Sequence, residues 1–473
     1  MSPRAPRRAF TLGVLAGFVY FLGTVYWVTH VMAGFGGLGM PVAAALAALL
    51  AAYLALYTGL FALVMWRAIA RFGIAAMWFA PAVWMTTEWL RATVGGGFPW
   101  VLLGTSQATV IPVVQLASMT GVYGLSGFIA LVSTAAAALA VSRRPIAVRP
   151  AIAVAVLVVA VVAGGAMRVA GGRLTSSGLV LRVGLVQGNI DQELKWNRAF
   201  RDSILQRYLD LSRQVLHAGA RLVIWPEAST PFFLDAEAAL AAPIRRLAAE
   251  TRTPFIIGTD EYVREPDGSG EGRVYNSAVL IGADGRSRGS YRKMQLVPFG
   301  EYVPLQRLLF FVSPLVEKVS DFSAGTEAVV FDADGRRASV AICYESVYPW
   351  IAAAGVDRGS QLLVTITNDA WFGYSSAAYQ HFEQGALRAV EQGRYMVRAA
   401  NTGITGAVDP YGRVLARTGL FETATETVDV RLHDGRTIYG RIGDVAVWIS
   451  LALTAAILMA TRRRPAVVLT TGQ

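Results

Sequence analysis

Apolar residues gather toward the two ends of the chain, in runs long enough for the roughly 20 residues of helix that cross a bilayer. Six such runs lie near 10–32, 41–66, 73–90, 110–141, 151–167 and 444–460. The third is interrupted by Pro81 and Glu88, and the Gly95-Gly-Gly-Phe-Pro-Trp100 that follows reads as a loop or re-entrant turn at an interface. From about 180 to 430 the pattern changes to short β-branched runs alternating with amphipathic stretches. Leu179–Val186, Arg221–Trp225, Pro254–Gly258, Ala338–Ile342 and Gln361–Thr367 read as strands, and 198–217, 236–250 and 380–394 as helices. That alternation predicts an α/β domain around a central sheet and leaves strand order and direction open. Gly164-Gly165, Gly171-Gly172 and Thr175–Gly178 read as a linker from the fifth run. The expected division is a transmembrane part over 1–170, an α/β domain over 171–435, and a last span with a short tail over 436–473.

Composition agrees with a mixed chain. It is 54% hydrophobic and 16% charged, too apolar for an ordinary soluble protein and too polar for a pure membrane bundle. The cations order the spans. Arg4, Arg7 and Arg8 precede the first, Arg67 and Arg71 lie between the second and third, Arg143, Arg144 and Arg149 lie between the fourth and fifth, and Arg462–Arg464 follow the last. These clusters fall on alternate sides, so the positive-inside rule predicts a cytoplasmic N-terminus and puts 168–443 on the outer face. Much of the net charge of +11 sits in these loops and tails, which removes the argument for a nucleic-acid partner. Arg7-Arg8 flanks an apolar run that continues through Tyr26 and Trp27 without a small-residue cleavage site, so it reads as an uncleaved span rather than an export signal.

Cys343 is the only cysteine, which excludes a disulfide within the chain. A lone buried cysteine is most often a small hydrophobe. Yet Cys343 and Glu227, in Trp225-Pro-Glu227, both lie just beyond the carboxyl ends of expected strands, where α/β sheets gather ligands and catalytic groups. Lys293 lies between them in the chain, ahead of Pro298-Phe-Gly-Glu301. Taken singly, Glu227 reads more readily as a helix-start acid and Lys293 as a solvated charge. Taken together, the three suit acyl transfer. An ordinary thiol is only about 3% thiolate at pH 7 and needs a base or a cation beside it. Glu227 could take the thiol proton and return it to a leaving oxygen, while Lys293 steadies the oxyanion. The Tyr344 N–H would be a second donor if the chain turns from strand into helix at Cys343. Of His30, His217, His381 and His433, only His381 falls where it could wall an active site. No His/Cys cluster has metal spacing and no phosphate-cradling glycine loop occurs, so neither metal nor cofactor is expected.

These segments together resemble the carbon-nitrogen hydrolase (nitrilase) superfamily. Leu194-Lys-Trp196, Ile342-Cys-Tyr-Glu345, Asn368-Asp-Ala-Trp-Phe-Gly373 with Gln380-His381, and Asn401-Thr-Gly403 resemble, more narrowly, the bacterial apolipoprotein N-acyltransferases. The likeness extends into the apolar part through Ala51–Phe61 and Gly97-Phe-Pro-Trp100. It implies a helical transmembrane bundle carrying a nitrilase-like αββα sandwich on the periplasmic side of the bacterial inner membrane. The implied reaction takes an acyl chain from a phospholipid, phosphatidylethanolamine by resemblance, onto Cys343 as a thioester. The chain then passes to the free amine of a diacylglyceryl-cysteine at a lipoprotein's N-terminus, through a monomeric enzyme. By motif match Glu227 is the base, Lys293 the oxyanion stabiliser and Glu301 a supporting carboxylate. Tyr344, Glu345 and Trp196 match positions around the thioester and acyl chain, with an interfacial anchor as the alternative for Trp196. Family members commonly have eight spans, and the six expected here begin where their third would. Phe299, Tyr302, Phe310, Phe311, Trp371, Phe372 and Tyr374 fall on expected loops and are candidates for an acyl entrance, ordinary loop packing being the alternative. The rival functions are a tethered amidase acting on small amides and an inactive lipoprotein-binding scaffold.

Overall fold

The structure, a computed structural model, describes residues 5–141, 145–264, 272–298, 300–302 and 322–462. Its α/β part is built on two six-stranded sheets. The first carries β1 (Leu179–Gln187), β2 (Leu222–Ile224), β3 (Phe255–Arg264), β4 (Gly272–Ile281) and β5 (Ser287–Arg292). The second carries β6 (Val330–Asp332), β7 (Arg337–Ile342), β8 (Leu362–Thr367), β9 (Met396–Ala400), β10 (Gly406–Val408) and β11 (Val414–Arg417). The last strand, β12 (Ala424–Leu432), returns to the first sheet and pairs antiparallel with β1. Each sheet has three parallel strands, β1-β2-β3 and β7-β8-β9, extended by antiparallel neighbours.

Strict alternation along these strands makes four layers. Leu181, Val183 and Leu185 of β1, Ile256 of β3, Val340 and Ile342 of β7, and Val364 and Ile366 of β8 share one core between the sheets. The intervening Val223, Phe255, Ile257 and Val279 face outward, under the helices Arg201–His217 and Ala238–Thr251. Leu363, Met396 and Val408 do the same beneath Pro349–Asp357 and Ser376–Gln392. A strand with both faces covered needs apolar residues at every position, and β8 is buried throughout. The result is an αββα sandwich.

Among the described residues, Met40–Phe72, Ala117–Val141, Ala147–Ser176 and Val445–Arg462 are helices long and apolar enough to cross a membrane. Ala5–Thr24 and Trp27–Gly34 qualify together, as a pair bent by 57°. The expected third span differs. Its α-helix covers only Ala80–Thr93, after a 3-10 stretch over Ile74–Phe79, and it buries Glu88 and Arg91. The linker is also shorter than expected, because the helix from Pro145 runs to Gly171 through Gly164-Gly165. Gly165 is there for close approach: a Cβ would lie 1.8 Å from the Pro112 carbonyl oxygen. Phe299, Phe310 and Phe311, and also Arg4, Arg143, Arg144, Arg463 and Arg464, lie outside the described residues.

The inter-sheet core does not stop at the α/β part. It continues through Tyr344 and Tyr348 into Trp100, Trp27, Phe21 and Leu54 of the apolar helices. Ile366 is fully buried within it. Ile366→Ala is expected to cost about 2–5 kcal/mol and Ile366→Val about 0.5–1.5 kcal/mol, read as graded falls in the unfolding midpoint in detergent. An alanine variant as stable as the parent would contradict this packing.

Candidate active site

Glu227, Lys293 and Glu301 converge at the carboxyl end of the first sheet. Glu227 follows β2 through Trp225-Pro226, and Lys293 follows β5, where its N–H donates to the Asn276 carbonyl of β4 (2.8 Å). The Lys293 ammonium, 1% exposed, donates to Glu301 Oε1 at 2.8 Å and stands 3.4 Å from Glu227 Oε1. Asn276 Nδ2 bridges the same two carboxylates, at 2.7 Å to Glu227 and 3.1 Å to Glu301. Each second oxygen is held by main chain: Asn368 N–H donates to Glu227 Oε2 (2.7 Å) and Val297 N–H to Glu301 Oε2 (2.8 Å). Burial alone would lower the Lys293 pKa, but the Glu301 and Glu227 carboxylates outweigh it and hold the ammonium above the ordinary lysine range. The turn bearing Glu227 lies flat on β3 only because residue 258 is glycine; a Cβ there would meet the Pro226 oxygen at 2.2 Å.

Cys343 enters this cluster from the second sheet. It ends β7 and opens the 3-10 helix Cys343–Val347 with φ +52°, a left-handed conformation that costs a non-glycine residue energy. The strained elbow turns the chain from strand to helix, so the Tyr344 N–H stands at a helix start, where main-chain donors are free for a ligand. Burial pushes the Cys343 thiol well above the ordinary range; the Glu227 charge adds to the shift and the Lys293 charge opposes it. Both the burial and the Glu227 charge thus favour the protonated form of the Cys343 sulfur.

Two buried devices hold the elbow against Lys293. The first is Glu345. One of its oxygens accepts from Met294 N–H (2.6 Å) and Gln295 N–H (3.1 Å), the other from Ile342 N–H (2.7 Å), and the Tyr291 hydroxyl lies 2.8 Å from both. One carboxylate thus ties the residues flanking Lys293 to the residue before Cys343. Burial pushes its pKa up to about 7, against these donors. The second is His381, which is fully buried. Burial and the Arg398 guanidinium keep the imidazole below the ordinary range, hence neutral at pH 7. Its Nε2 lies 3.0 Å from both the Cys343 carbonyl oxygen and the Ser346 hydroxyl, and its Nδ1 lies 3.0 Å from both Asp369 Oδ1 and Arg398 Nη2. Arg398 also donates to Asp369 (2.6 Å); burial is the largest single influence on that carboxyl and raises it, but the Arg398 charge together with the His381 and Thr367 contacts holds it below its usual range.

Tyr344 faces the apolar helices. Its ring stacks on Trp100 at 6.1 Å and 17°, and Trp100 in turn meets Phe98, Trp27 and Phe372. Gln380 Oε1 accepts from both indoles, Trp100 at 2.7 Å and Trp27 at 3.2 Å, and its amide donates to the Thr24 carbonyl at the bend of the first helix pair. Trp196 is not drawn into the cluster; its ring is 47% exposed. Trp371 and Tyr374 are exposed as well, against Phe35 and Phe421, and Tyr302 is half-buried. Sequence reasoning missed Asn276, Lys195 and Asp260. Lys195 is buried beside the Glu227 carbonyl (3.4 Å), and burial pushes Asp260 up to about 7 against the opposing Lys195 charge. An asparagine within the segment Val274–Val279, between residues that suit a strand, was the one available signal, since asparagine is depleted in strands. Among the described residues no His/Cys/Asp/Glu group could hold a metal ion.

Comparison with known proteins follows this geometry. The carbon-nitrogen hydrolase family model matches residues 182–439, and that of the apolipoprotein N-acyltransferase N-terminal domain matches 1–135. The apolipoprotein N-acyltransferase of Geobacter metallireducens is 38% identical over 98% of this chain and 88% of its own length. That of Methylococcus capsulatus is 36% identical, over 98% and 89%. A nitrilase-superfamily amidase from Nesterenkonia aligns at 20% identity with 57% of this chain and 97% of its own, at a TM-score of 0.42.

The raised thiol pKa has a direct consequence. A thiol is protonated below its pKa, so alkylation of Cys343 by iodoacetamide should be slow at pH 7 and still rising at about pH 9. A rate already level at neutral pH would show a preformed thiolate and contradict this site.

Proposed function

The chain belongs to the apolipoprotein N-acyltransferases, with a carbon-nitrogen hydrolase domain at its centre, and from that premise we propose a two-step acyl transfer through Cys343. The observation that carries the reading is the convergence of one thiol, one ammonium and one carboxylate in a dry cluster packed against aromatic residues of the apolar helices. In the first step Cys343 Sγ attacks an ester carbonyl of a phospholipid, phosphatidylethanolamine in this proposal, as Glu227 takes the thiol proton. The Lys293 ammonium and the Tyr344 N–H receive the oxyanion. Collapse breaks the C–O bond, and Glu227 returns the proton to the departing oxygen, so that a lysophospholipid leaves. In the second step the amine of a diacylated lipoprotein attacks the thioester. Glu227 takes the proton from nitrogen and delivers it to sulfur as the C–S bond breaks, leaving an amide and the free thiol. Glu301 holds Lys293, Glu345 fixes the elbow, and the exposed Trp196 is the proposed contact for an approaching acyl chain. The chain acts as a monomer and needs no cofactor.

The catalytic domain stands on the periplasmic face of the inner membrane in this reading. Arg71 ends one helix and Arg462 another, while the helix ends near Ser176 and Val445 lead into and out of the α/β domain. The short Ala80–Thr93 helix returns the chain from the Arg71 side to the catalytic side, since Trp100 reaches Tyr344. Basic ends and catalytic ends are thus opposite, as the positive-inside rule requires of a domain outside the cytoplasm.

Varying phosphatidylethanolamine and a diacylated lipopeptide together should give parallel double-reciprocal lines. Glu227→Gln should lower turnover about 10²–10⁴-fold, as loss of a general base does. Lys293→Met should lower it about 10²–10³-fold, as loss of an oxyanion donor does. Intersecting lines, or water serving as acceptor as well as the lipopeptide, would favour a tethered amidase.

A further inference from the structure

Glu88 and Arg91 are buried in the short helix Ala80–Thr93, each 5% exposed or less. Charges at such depth are costly and are rarely kept without a task. They are poorly placed to satisfy each other, the nearest guanidinium–carboxylate approach being 4.0 Å. Their short bonds go to one loop instead. Arg91 Nη1 donates to the Phe98 carbonyl (2.8 Å) and the Trp100 carbonyl (2.9 Å), and Leu103 N–H donates to Glu88 Oε1 (2.7 Å). The guanidinium also lies 5.2 Å over the Phe21 ring, which fixes it to the first helix. Within the loop, Val101 is held at φ +49°, a conformation that persists only where its surroundings impose it. The loop's cargo is Trp100, stacked on the residue after the nucleophile.

We infer that Arg91 and Glu88 are positioning residues for acyl loading: by clamping the main chain of Phe98–Leu103 they hold Trp100 against Tyr344 as the wall along which the donor's acyl chain reaches Cys343. The hydrogen bonds carry this role rather than the ion pair. Glutamine at 88 keeps an acceptor for Leu103 N–H, whereas leucine removes it. The proposal rests on the acyl-thioester reading above and concerns only how lipid gains access to it.

The test compares two acyl donors on the full chain, phosphatidylethanolamine in vesicles and, separately, a soluble ester offered to phospholipid-free protein in detergent. Intact mass follows acyl adduct formation on Cys343 from lipid, and p-nitrophenol release follows the burst from soluble p-nitrophenyl butyrate. A displacement of about 1 Å far from the chemistry can cost about 100-fold, so Arg91→Met and Glu88→Leu should load lipid about 10- to 100-fold more slowly. Their soluble-ester bursts should stay within about twofold of the parent, because the reacting groups are untouched. Glu88→Gln should load lipid near the parent rate. Parent-like lipid loading by Glu88→Leu, equal loss with both donors, or equal defects in Glu88→Gln and Glu88→Leu would overturn the proposal. The two Glu88 variants decide the matter even if Arg91→Met does not fold. A parent that bursts with the soluble ester yet takes no acyl group from lipid would remove the acyl-transfer reading itself, and this proposal with it.

Discussion

A single buried ammonium shared between two carboxylates governs the architecture around it. Lys293 has almost no contact with solvent, and removing either partner of a buried ion pair costs about 3–5 kcal/mol because the other charge is stranded. Such a cluster is tolerable only where the carboxylate oxygens find donors. That demand accounts for Asn276 between the carboxylates and for the main-chain N–H groups of Asn368 and Val297 on their outer oxygens. It also explains the sandwich. Glu227 and Lys293 come from the first sheet, Asn368 and Cys343 from the second, and only packing the sheets face to face brings their strand ends together.

The same cluster sets the chemistry. A thiol kept neutral by burial is a poor nucleophile at rest and a safe one, activated when a proton acceptor and an oxyanion donor act on it at once. The elbow must then be held without freedom. Glu345 grips it from the Lys293 side, and His381 from the helix side through the Cys343 carbonyl. Gln380, one residue before His381, accepts from two indoles of the apolar helices. One helix of the α/β domain therefore supports the Cys343 elbow and docks onto the apolar N-terminal part. That coupling suits an enzyme whose donor and acceptor are both anchored in lipid, where withdrawing an acyl chain into water would cost about 0.8 kcal/mol per CH₂.

Much of this was legible in the sequence, for local reasons. Residues that follow a strand announce themselves by the apolar run before them, so Glu227 and Cys343 could be picked out, and five of the six parallel strands (β1, β2, β3, β7 and β8) could be read, whereas β9, with a single β-branched residue, could not. Where the signal was mixed, the structure differs from the reading. The stretch 73–90 is apolar enough to suggest a span, yet Pro81 starts the α-helix late and Glu88 and Arg91 serve the following loop. Gly164-Gly165 read as the start of a linker because glycine pairs usually loosen a helix, but a close approach to Pro112 gives Gly165 another purpose. Asn276, Lys195 and the several bonds of Glu345 depend on contacts between distant strands, which no local pattern encodes. His381 was visible as a candidate, but not as a support behind the nucleophile.

The central claim is that Cys343 carries the acyl group between two lipid substrates, and the intact mass of the protein tests it most directly. After incubation with phosphatidylethanolamine the parent should gain the mass of one acyl chain, Cys343→Ala should gain none, and a diacylated lipopeptide should discharge the adduct. A folded parent that gains no mass in the presence of lipid, or an adduct that survives the lipopeptide, would contradict the account.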